Sequence, residues 1–110
     1  MKKEYIQVFT TTEKREDAEK IAKTLVKKRL AGCVQILGPI GSTYWWKGNI
    51  DTAEEWLCLI KSKSTLYSKL EKAIKEIHPY ETPEIIATPI FAGSKEYLDW
   101  LKNELKKKES

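Results

Sequence analysis

The fold is decided by the stretch Glu54-Glu55-Trp56-Leu57-Cys58-Leu59-Ile60-Lys61-Ser62-Lys63. Successive side chains of a β-strand point to opposite faces, so its apolar residues fall on two sides: Trp56, Cys58 and Ile60 on one, Leu57 and Leu59 on the other. An antiparallel sheet that meets water on one side carries polar residues there. We therefore expect both faces of this strand to be covered.

This strand is the second arm of a predicted long hairpin. The first arm covers Ala31–Trp46, and Lys47-Gly48-Asn49 is the turn, because Gly and Asn tolerate positive φ. Symmetric closure at this turn places Cys58 opposite Pro39. Cys33 then lies six residues from Pro39 along the first arm. Six residues span about 20 Å, beyond the Cα separation of ~7 Å that a disulfide allows. We expect two free thiols, with Cys58 packed in the core.

Two further strands and three helices flank the hairpin in the sequence. The helices are predicted from apolar residues at helical spacing, and the strands from runs of β-branched and aromatic residues. In chain order the additional elements are a strand over Tyr5–Thr11, a helix striped by Ala18, Ile21, Ala22, Leu25 and Val26, a helix striped by Leu66, Leu70, Ala73, Ile74 and Ile77 and ended by Pro79, a strand over Glu84–Phe91, and a helix capped by Ser94 that carries Leu98, Leu101 and Leu105.

This order predicts one α+β domain over residues 1–110. It is the ferredoxin-like βαββαβ arrangement with an extra C-terminal helix, in which an antiparallel sheet of order 4-1-3-2 carries two helices on one face. Pro39 and Pro89 then fall in the two edge strands, where a missing backbone N–H is tolerated.

The second sheet face predicts that the chain assembles with copies of itself. In the last strand, as in the third, apolar residues occupy both sides: Ile86 and Ile90 against Ile85, Ala87 and Phe91. Large exposed apolar patches are rare on soluble monomers, so a partner chain is the expected cover, with edge strands paired between subunits. The other interpretation is a monomer with a slightly apolar sheet.

Composition excludes several classes of function. The net charge is +4, and the basic run Lys106-Lys107-Lys108 is interpreted as a solvated helix end, so we expect no nucleic-acid partner. No apolar run approaches the ~20 residues of a membrane helix, and the start MKKEYIQVF lacks the apolar core of a signal peptide. We expect a cytoplasmic protein without a membrane partner. Its enrichment in Lys and Glu is typical of thermostable proteins.

The motifs predict no enzyme and no organic cofactor. The sequence has no Gly-rich phosphate loop and no G-x-S-x-G nucleophile motif. A ferredoxin-like phosphatase needs an arginine cradle after its first strand, and here that turn reads Thr10-Thr11-Thr12-Glu13. The acidic side chain would repel an anion.

The loop between the second helix and the last strand reads His78-Pro79-Tyr80-Glu81-Thr82-Pro83-Glu84 (the HPYE loop). Two prolines stiffen it. The imidazole of His78 suits copper or zinc, Glu81 offers an oxygen, and Cys33 offers a thiolate from the same or an adjacent chain. These residues predict a soft-metal or small-ligand site, which is weak unless symmetry adds ligands. In the other interpretation His78 caps the preceding helix, and Tyr80 and Glu81 contact a neighbouring subunit.

Aromatic residues cluster near the hairpin turn. Tyr44, Trp45 and Trp46 resemble base-stacking residues, but at this place we expect them to contact a neighbouring chain.

Five segments of the chain form one pattern: Ala31-Gly32-Cys33-Val34, Pro39-Ile40-x-Ser42-x-Tyr44-x-Trp46-x-Gly48, Lys61, His78-Pro79-Tyr80-Glu81-x-Pro83-Glu84 and Tyr97-Leu98-x-Trp100. The pattern resembles the CutA divalent-cation tolerance proteins and spans nearly the whole chain. The resemblance implies a compact cytoplasmic homotrimer of ferredoxin-like subunits. Strands of neighbouring subunits pair in it, much as in the PII signalling proteins.

The resemblance also implies a function in copper tolerance and the response to metal ions. Cu(II) or another divalent cation would bind near the end of the first strand and the HPYE loop, and His78 carries over directly. Some members have a Cys in place of Thr10 and a second His in place of Ile77; this chain has neither. The alternative is a PII-like signalling or scaffold trimer. It would bind a small ligand, such as an anion, or a partner protein in a cleft between subunits that Lys61, Tyr80 and Glu81 line.

Overall fold

The computed structural model describes residues 4–107 and confirms the predicted order of elements. A short 3-10 turn, Ser64–Leu66, precedes the second helix. The elements are β1 (Tyr5–Thr12), α1 (Arg15–Lys27), β2 (Cys33–Trp46), β3 (Asn49–Lys63), α2 (Tyr67–Ile77), β4 (Ile86–Pro89) and α3 (Lys95–Glu104).

The four strands form one antiparallel sheet in the order β2-β3-β1-β4. This confirms the predicted topology and places Pro39 and Pro89 in the two edge strands. The prediction of a last strand over Glu84–Phe91 was too long, since β4 has only four residues. It ends at Pro89, which has no backbone N–H of its own, although the next N–H, that of Ile90, still donates to the Tyr5 carbonyl at 2.9 Å.

The core lies between the sheet and the first two helices. On the sheet side, alternate residues of β1 and β3 are buried, and each helix contributes most of its apolar stripe. Val26, predicted as part of the stripe of α1, is 44% exposed. Burial raises the pKa of the Cys58 thiol to about 11, so this cysteine packs as an apolar side chain. The central residues are Ile6, Val8, Cys58, Ile60, Ile21, Leu25, Leu70 and Ile74.

The hairpin register differs from the predicted one. Cys58 lies opposite Ile36, not Pro39, because the turn uses two residues, Lys47 and Gly48, and because a bulge lies between Leu37 and Ile40. Cys33 is therefore three residues from the partner of Cys58, or about 10 Å along the strand, instead of six. Both cysteines are free, as predicted.

The sheet face turned away from the helices carries a continuous apolar band (the open-face band). Leu59, Phe9 and Ile86 lie side by side on β3, β1 and β4. Leu57 and Leu37 continue the band on β3 and β2. Leu37 and Ile86 are 48% and 52% exposed, which leaves this face uncovered within one chain.

The last helix closes one end of the core. Ser94 caps α3, since its hydroxyl accepts a hydrogen bond from the Tyr97 N–H at 3.2 Å, and Leu101 and Leu105 are buried. The helix ends at Glu104, before the lysine run that was interpreted as a helix end. Lys106 donates its backbone N–H to Arg29, and Lys108 lies outside the described residues. Within residues 4–107, none of the helices has the length and apolarity to cross a membrane.

Candidate functional site

His78 holds the HPYE loop against the end of β1. It directly follows α2, and its backbone N–H donates to the Ile74 carbonyl at 2.9 Å. Its Nε2 donates to the Thr11 carbonyl at 2.9 Å, and its Nδ1 accepts from the Tyr80 N–H at 3.1 Å. Burial lowers the pKa of His78 below its usual 6.5, outweighing the opposite effect of the bond to Thr11. The ring is therefore neutral, with its proton on Nε2.

Tyr80 connects this loop to the hairpin through Glu55. The Tyr80 hydroxyl donates to one carboxylate oxygen of Glu55 at 2.7 Å, and the Ser42 hydroxyl donates to the other at 2.7 Å. Glu55 is only 7% exposed. Burial raises the pKa of Tyr80, and the bond to the Glu55 carboxylate adds to that rise, so the phenol remains a donor.

An open cavity of about 860 Å³ (the acidic cleft) lies between the HPYE loop and the outer half of the hairpin. Five carboxylates and four aromatic side chains line it, and none of its lining residues is Lys, Arg or His. Of the ion pairs within residues 4–107, none involves a carboxylate of this cleft. The charged and aromatic lining residues are Glu13, Asp51, Glu55, Glu81, Glu84, Tyr44, Trp45, Trp46 and Tyr80.

The cleft contains several of the residues that the sequence singled out. Tyr80 and Glu81 lie on the loop side, and Tyr44 and Trp46 lie on the hairpin side. Tyr44 and Trp46 keep 40% and 46% of their surface exposed. The ammonium of Lys47 lies 5.6 Å from the centre of the Trp46 ring, within the range of a cation–π contact.

Cys33 and Lys61 lie elsewhere in the chain. They are paired with each other across β2 and β3, and the Lys61 ammonium donates to Gln35 at 2.7 Å. Thr11, whose carbonyl accepts the hydrogen bond from His78, pairs with Leu57. Leu57 lies four residues from Lys61 on β3, which is about 13 Å along the strand. Any contribution of Cys33 or Lys61 to the acidic cleft would have to come from a neighbouring subunit.

The predicted metal ligands do not form a site within one chain. A metal ion needs a free lone pair on imidazole, and Nδ1 of His78 accepts from Tyr80. Cys33 is absent from the residues that line the cleft. Across residues 4–107, no three His, Cys, Asp or Glu side chains are grouped closely enough to hold an ion.

Glu55 and Ser42 were not singled out from the sequence as site residues. The alternation of residues along β3 gives one indication that Glu55 is a site residue. It has the same parity on β3 as Leu57 and Leu59, so it is a carboxylate in line with apolar neighbours. The partner of such a side chain depends on tertiary contacts that strand periodicity does not encode.

These features define a ferredoxin-like α+β protein with an acidic cleft. The family model of the CutA1 divalent ion tolerance protein matches residues 6–104. The divalent-cation tolerance protein CutA of Thermus thermophilus is 44% identical over 95 residues, which cover 86% of this chain and 92% of that protein. The chain belongs to the CutA divalent-cation tolerance family.

Solved structures and eukaryotic relatives agree with this assignment. CutA1 from Oryza sativa has a TM-score of 0.93 at 37% identity, over 96% of either chain. CutA1 from a psychrotrophic Shewanella also has a TM-score of 0.93, at 40% identity, over 97% of this chain and 100% of that one. The chloroplastic CutA 1 of rice is 40% identical over 98 residues, and the match spans 89% of this chain but 55% of that protein.

Proposed function

We propose that this chain is a homotrimeric divalent-cation response protein that binds Cu(II) or a similar ion weakly at the HPYE loop. The observation that carries the proposal is the acidic cleft beside that loop, with five carboxylates and no basic lining residue. Membership of a divalent-cation tolerance family supports the same class of ligand.

The buried carboxylate of Glu55 favours a cation over an anion in the cleft. Two neutral hydroxyls bond to its oxygens, and no ion pair within the described part of the chain compensates its charge. A buried charge without a counter-charge is unfavourable. An incoming cation reduces that cost, whereas an incoming anion increases it.

The arrangement of His78 accounts for weak binding. Glu81 is exposed on the cleft side of the loop and offers an oxygen ligand. His78 can offer Nδ1 only after the Tyr80 N–H leaves it, and a lost hydrogen bond costs about 1 kcal/mol. Cys33 of an adjacent subunit is the remaining predicted ligand. Protonated imidazole does not ligate, so we expect binding to weaken below about pH 6.

Trimer formation is supported by the open-face band and by the two edge strands. The band runs across all four strands from Leu37 to Ile86, and burying it against neighbours is favourable by about 25 cal/mol per Å². β2 and β4 leave one side of their backbone unpaired in the sheet, so each can pair with a strand of another copy.

Calorimetric titration with Cu(II) at pH 7 tests the ion site. We expect His78→Ala and Glu81→Gln each to weaken binding by about tenfold, since each removes one ligand of a weak site. Glu76→Gln is the matched control, because this exposed residue of α2 carries the same charge outside the cleft. Equal affinities of His78→Ala, Glu81→Gln and wild type would refute the proposed site.

The size of the cleft supports a second candidate function, that of a PII-like sensor or scaffold. About 860 Å³ falls within the range of small-ligand sites, roughly 300–1,000 Å³. In this interpretation a small ligand or partner protein binds there without metal. A thermal-shift screen of nucleotides and metabolites against the metal-free protein tests it, since a ligand of the folded state raises Tm.

Two further properties belong to the proposal. The chain acts by binding and not as an enzyme, and its membership of a divalent-cation tolerance family supports this part of the proposal. Its cytoplasmic location is supported by two free cysteines, which suit a reducing compartment. Cell fractionation tests the location.

A further inference from the structure

We infer that Glu55 is a positioning residue of the HPYE loop: through Tyr80 it keeps the free lone pair of His78 covered. Four residues are joined in series by hydrogen bonds (the loop latch), namely Ser42, Glu55, Tyr80 and His78. An ion can bind to His78 only when the latch opens. This consequence for Cu(II) rests on the proposed function, whereas the latch itself can be measured without metal.

Tyr80 connects the two halves of the latch. Its backbone N–H donates to Nδ1 of His78 at 3.1 Å, and its hydroxyl donates to Glu55 at 2.7 Å. The rings of His78 and Tyr80 also lie close together, with centroids 4.9 Å apart. The other imidazole nitrogen, Nε2, is bonded to the Thr11 carbonyl at 2.9 Å. Nδ1 is therefore the nitrogen that His78 can offer to a metal ion, and Tyr80 occupies it.

The two bonds of Tyr80 open together. Pro79 separates Tyr80 from His78, and the proline ring fixes the backbone torsion φ. With that torsion fixed, turning the Tyr80 N–H away from the imidazole displaces the whole of residue 80, and the phenol moves with it. The bond to Glu55 resists this displacement, because hydrogen bonds to an ionised carboxylate are among the stronger ones in proteins.

Glu55 is a firm anchor because it is held from a second side. Ser42 on β2 donates to its other carboxylate oxygen at 2.7 Å. Every bond of the latch joins groups of one chain, and both Glu55 and His78 are buried within that chain. The latch therefore does not depend on what covers the cleft in an assembly.

Amide hydrogen exchange of the metal-free protein, followed by NMR, tests the latch. We expect Tyr80→Phe to speed exchange at residue 80 about tenfold, since a hydrogen bond to a charged group contributes about that factor. Ser42→Ala should speed it less, because Glu55 keeps its bond to Tyr80. Tyr67→Phe is the matched control and should leave this exchange unchanged. It removes a phenol hydroxyl that donates to the Ile85 carbonyl at 3.5 Å, at the other end of the loop.

Calorimetric titration with Cu(II) at pH 7 measures the consequence for the ion. We expect Tyr80→Phe to bind Cu(II) about tenfold more tightly than Tyr67→Phe, because the ion no longer competes with the bond to Glu55. Both variants keep the charge of the cleft, so attraction between charges does not produce this difference. If the Tyr80 hydroxyl only supported the fold, its removal would leave binding unchanged or weaken it.

Equal exchange at residue 80 in Tyr80→Phe and Tyr67→Phe overturns the latch. Unchanged or weaker Cu(II) binding by Tyr80→Phe overturns it as well, when the loss of affinity in His78→Ala shows that the ion binds there. If His78→Ala binds like wild type, the ion site fails instead, and the exchange result alone decides on the latch. Exchange at Val8 and Ile60 in the core reports folding. Should Tyr80→Phe unfold, Ser42→Ala must show faster exchange at residue 80 for the latch to stand.

Discussion

At the residue scale, two threonines of β1 show that burial alone does not determine how a hydroxyl affects the stability of the fold. Thr10 and Thr12 are both fully buried. The Thr12 hydroxyl donates to the Lys14 carbonyl at 2.8 Å, whereas the Thr10 hydroxyl has no hydrogen-bond partner among residues 4–107. An unsatisfied buried hydroxyl is destabilising, and a satisfied one is not.

Valine substitutions separate the two cases. We expect Thr10→Val to raise the free energy of unfolding by about 1 kcal/mol and Thr12→Val to lower it by about 1 kcal/mol. Urea denaturation of the two variants beside wild type measures both changes. A loss of stability in Thr10→Val equal to that in Thr12→Val would contradict the account of Thr10.

His78 makes the stability depend on pH. Because its pKa is lowered in the folded state, the unfolded chain binds the proton more readily. Its contribution to stability is therefore complete above about pH 6.5 and decreases as the pH falls below that value. We expect the urea midpoint of wild type to fall between pH 7 and about pH 5.5 more steeply than that of His78→Gln. Parallel curves would contradict the buried neutral imidazole.

The site was only partly predictable at this scale. The loop residues His78, Tyr80 and Glu81 were predicted from their chemistry in a loop that two prolines stiffen, and the structure places Tyr80 and Glu81 in the cleft. The partners of His78 were not predictable, because the Thr11 carbonyl is a backbone group distant in sequence. The role of Glu55 depends on two hydroxyls that approach from different elements.

At the element scale, the two-residue turn and the bulge in β2 together determine the register of the hairpin. Strand order followed from the order of elements, which needs only local patterns, and the two edge prolines agree with it. The register of the hairpin did not follow from local patterns, because the bulge between Leu37 and Ile40 makes two residues of β2 face one of β3. The close approach of Gly38 to the Trp56 ring belongs to this bulge.

A pair of glycine substitutions in β2 tests that packing. A Cβ at Gly38 would overlap the Trp56 ring, whereas a Cβ at Gly41 meets nothing within 4 Å. We expect Gly38→Ala to lower the free energy of unfolding by about 1–3 kcal/mol, the usual cost of overpacking, and Gly41→Ala to leave it unchanged or slightly raised. Thermal denaturation measures both; similar Tm values for the two variants would contradict the close contact.

At the scale of the whole molecule, the open-face band is the feature that one chain leaves unexplained. The sequence predicted it from the double alternation of β3, and Leu57 and Leu59 do lie on the face opposite Cys58 and Ile60. The number of subunits that cover it does not follow from periodicity, because different symmetric assemblies can bury the same band.

A charge in the centre of the band tests the assembly. Leu59 lies between Gln35 and Phe9 in the middle of the sheet. We expect Leu59→Glu to convert the proposed trimer into smaller or unfolded species, because an unpaired buried charge costs several kcal/mol. Ser68→Glu, on the exposed face of α2, should keep the wild-type mass. Light scattering measures the mass, and a Leu59→Glu trimer of normal stability would contradict the proposed interface.

Native mass spectrometry with and without added Cu(II) tests the central claim most directly, because it reports the number of chains and the number of bound ions together. The account predicts three chains per particle, with up to three copper ions, and lower copper occupancy in Glu81→Gln than in Glu76→Gln. Folded single chains at micromolar concentration, or equal copper occupancy in the two variants, would contradict it.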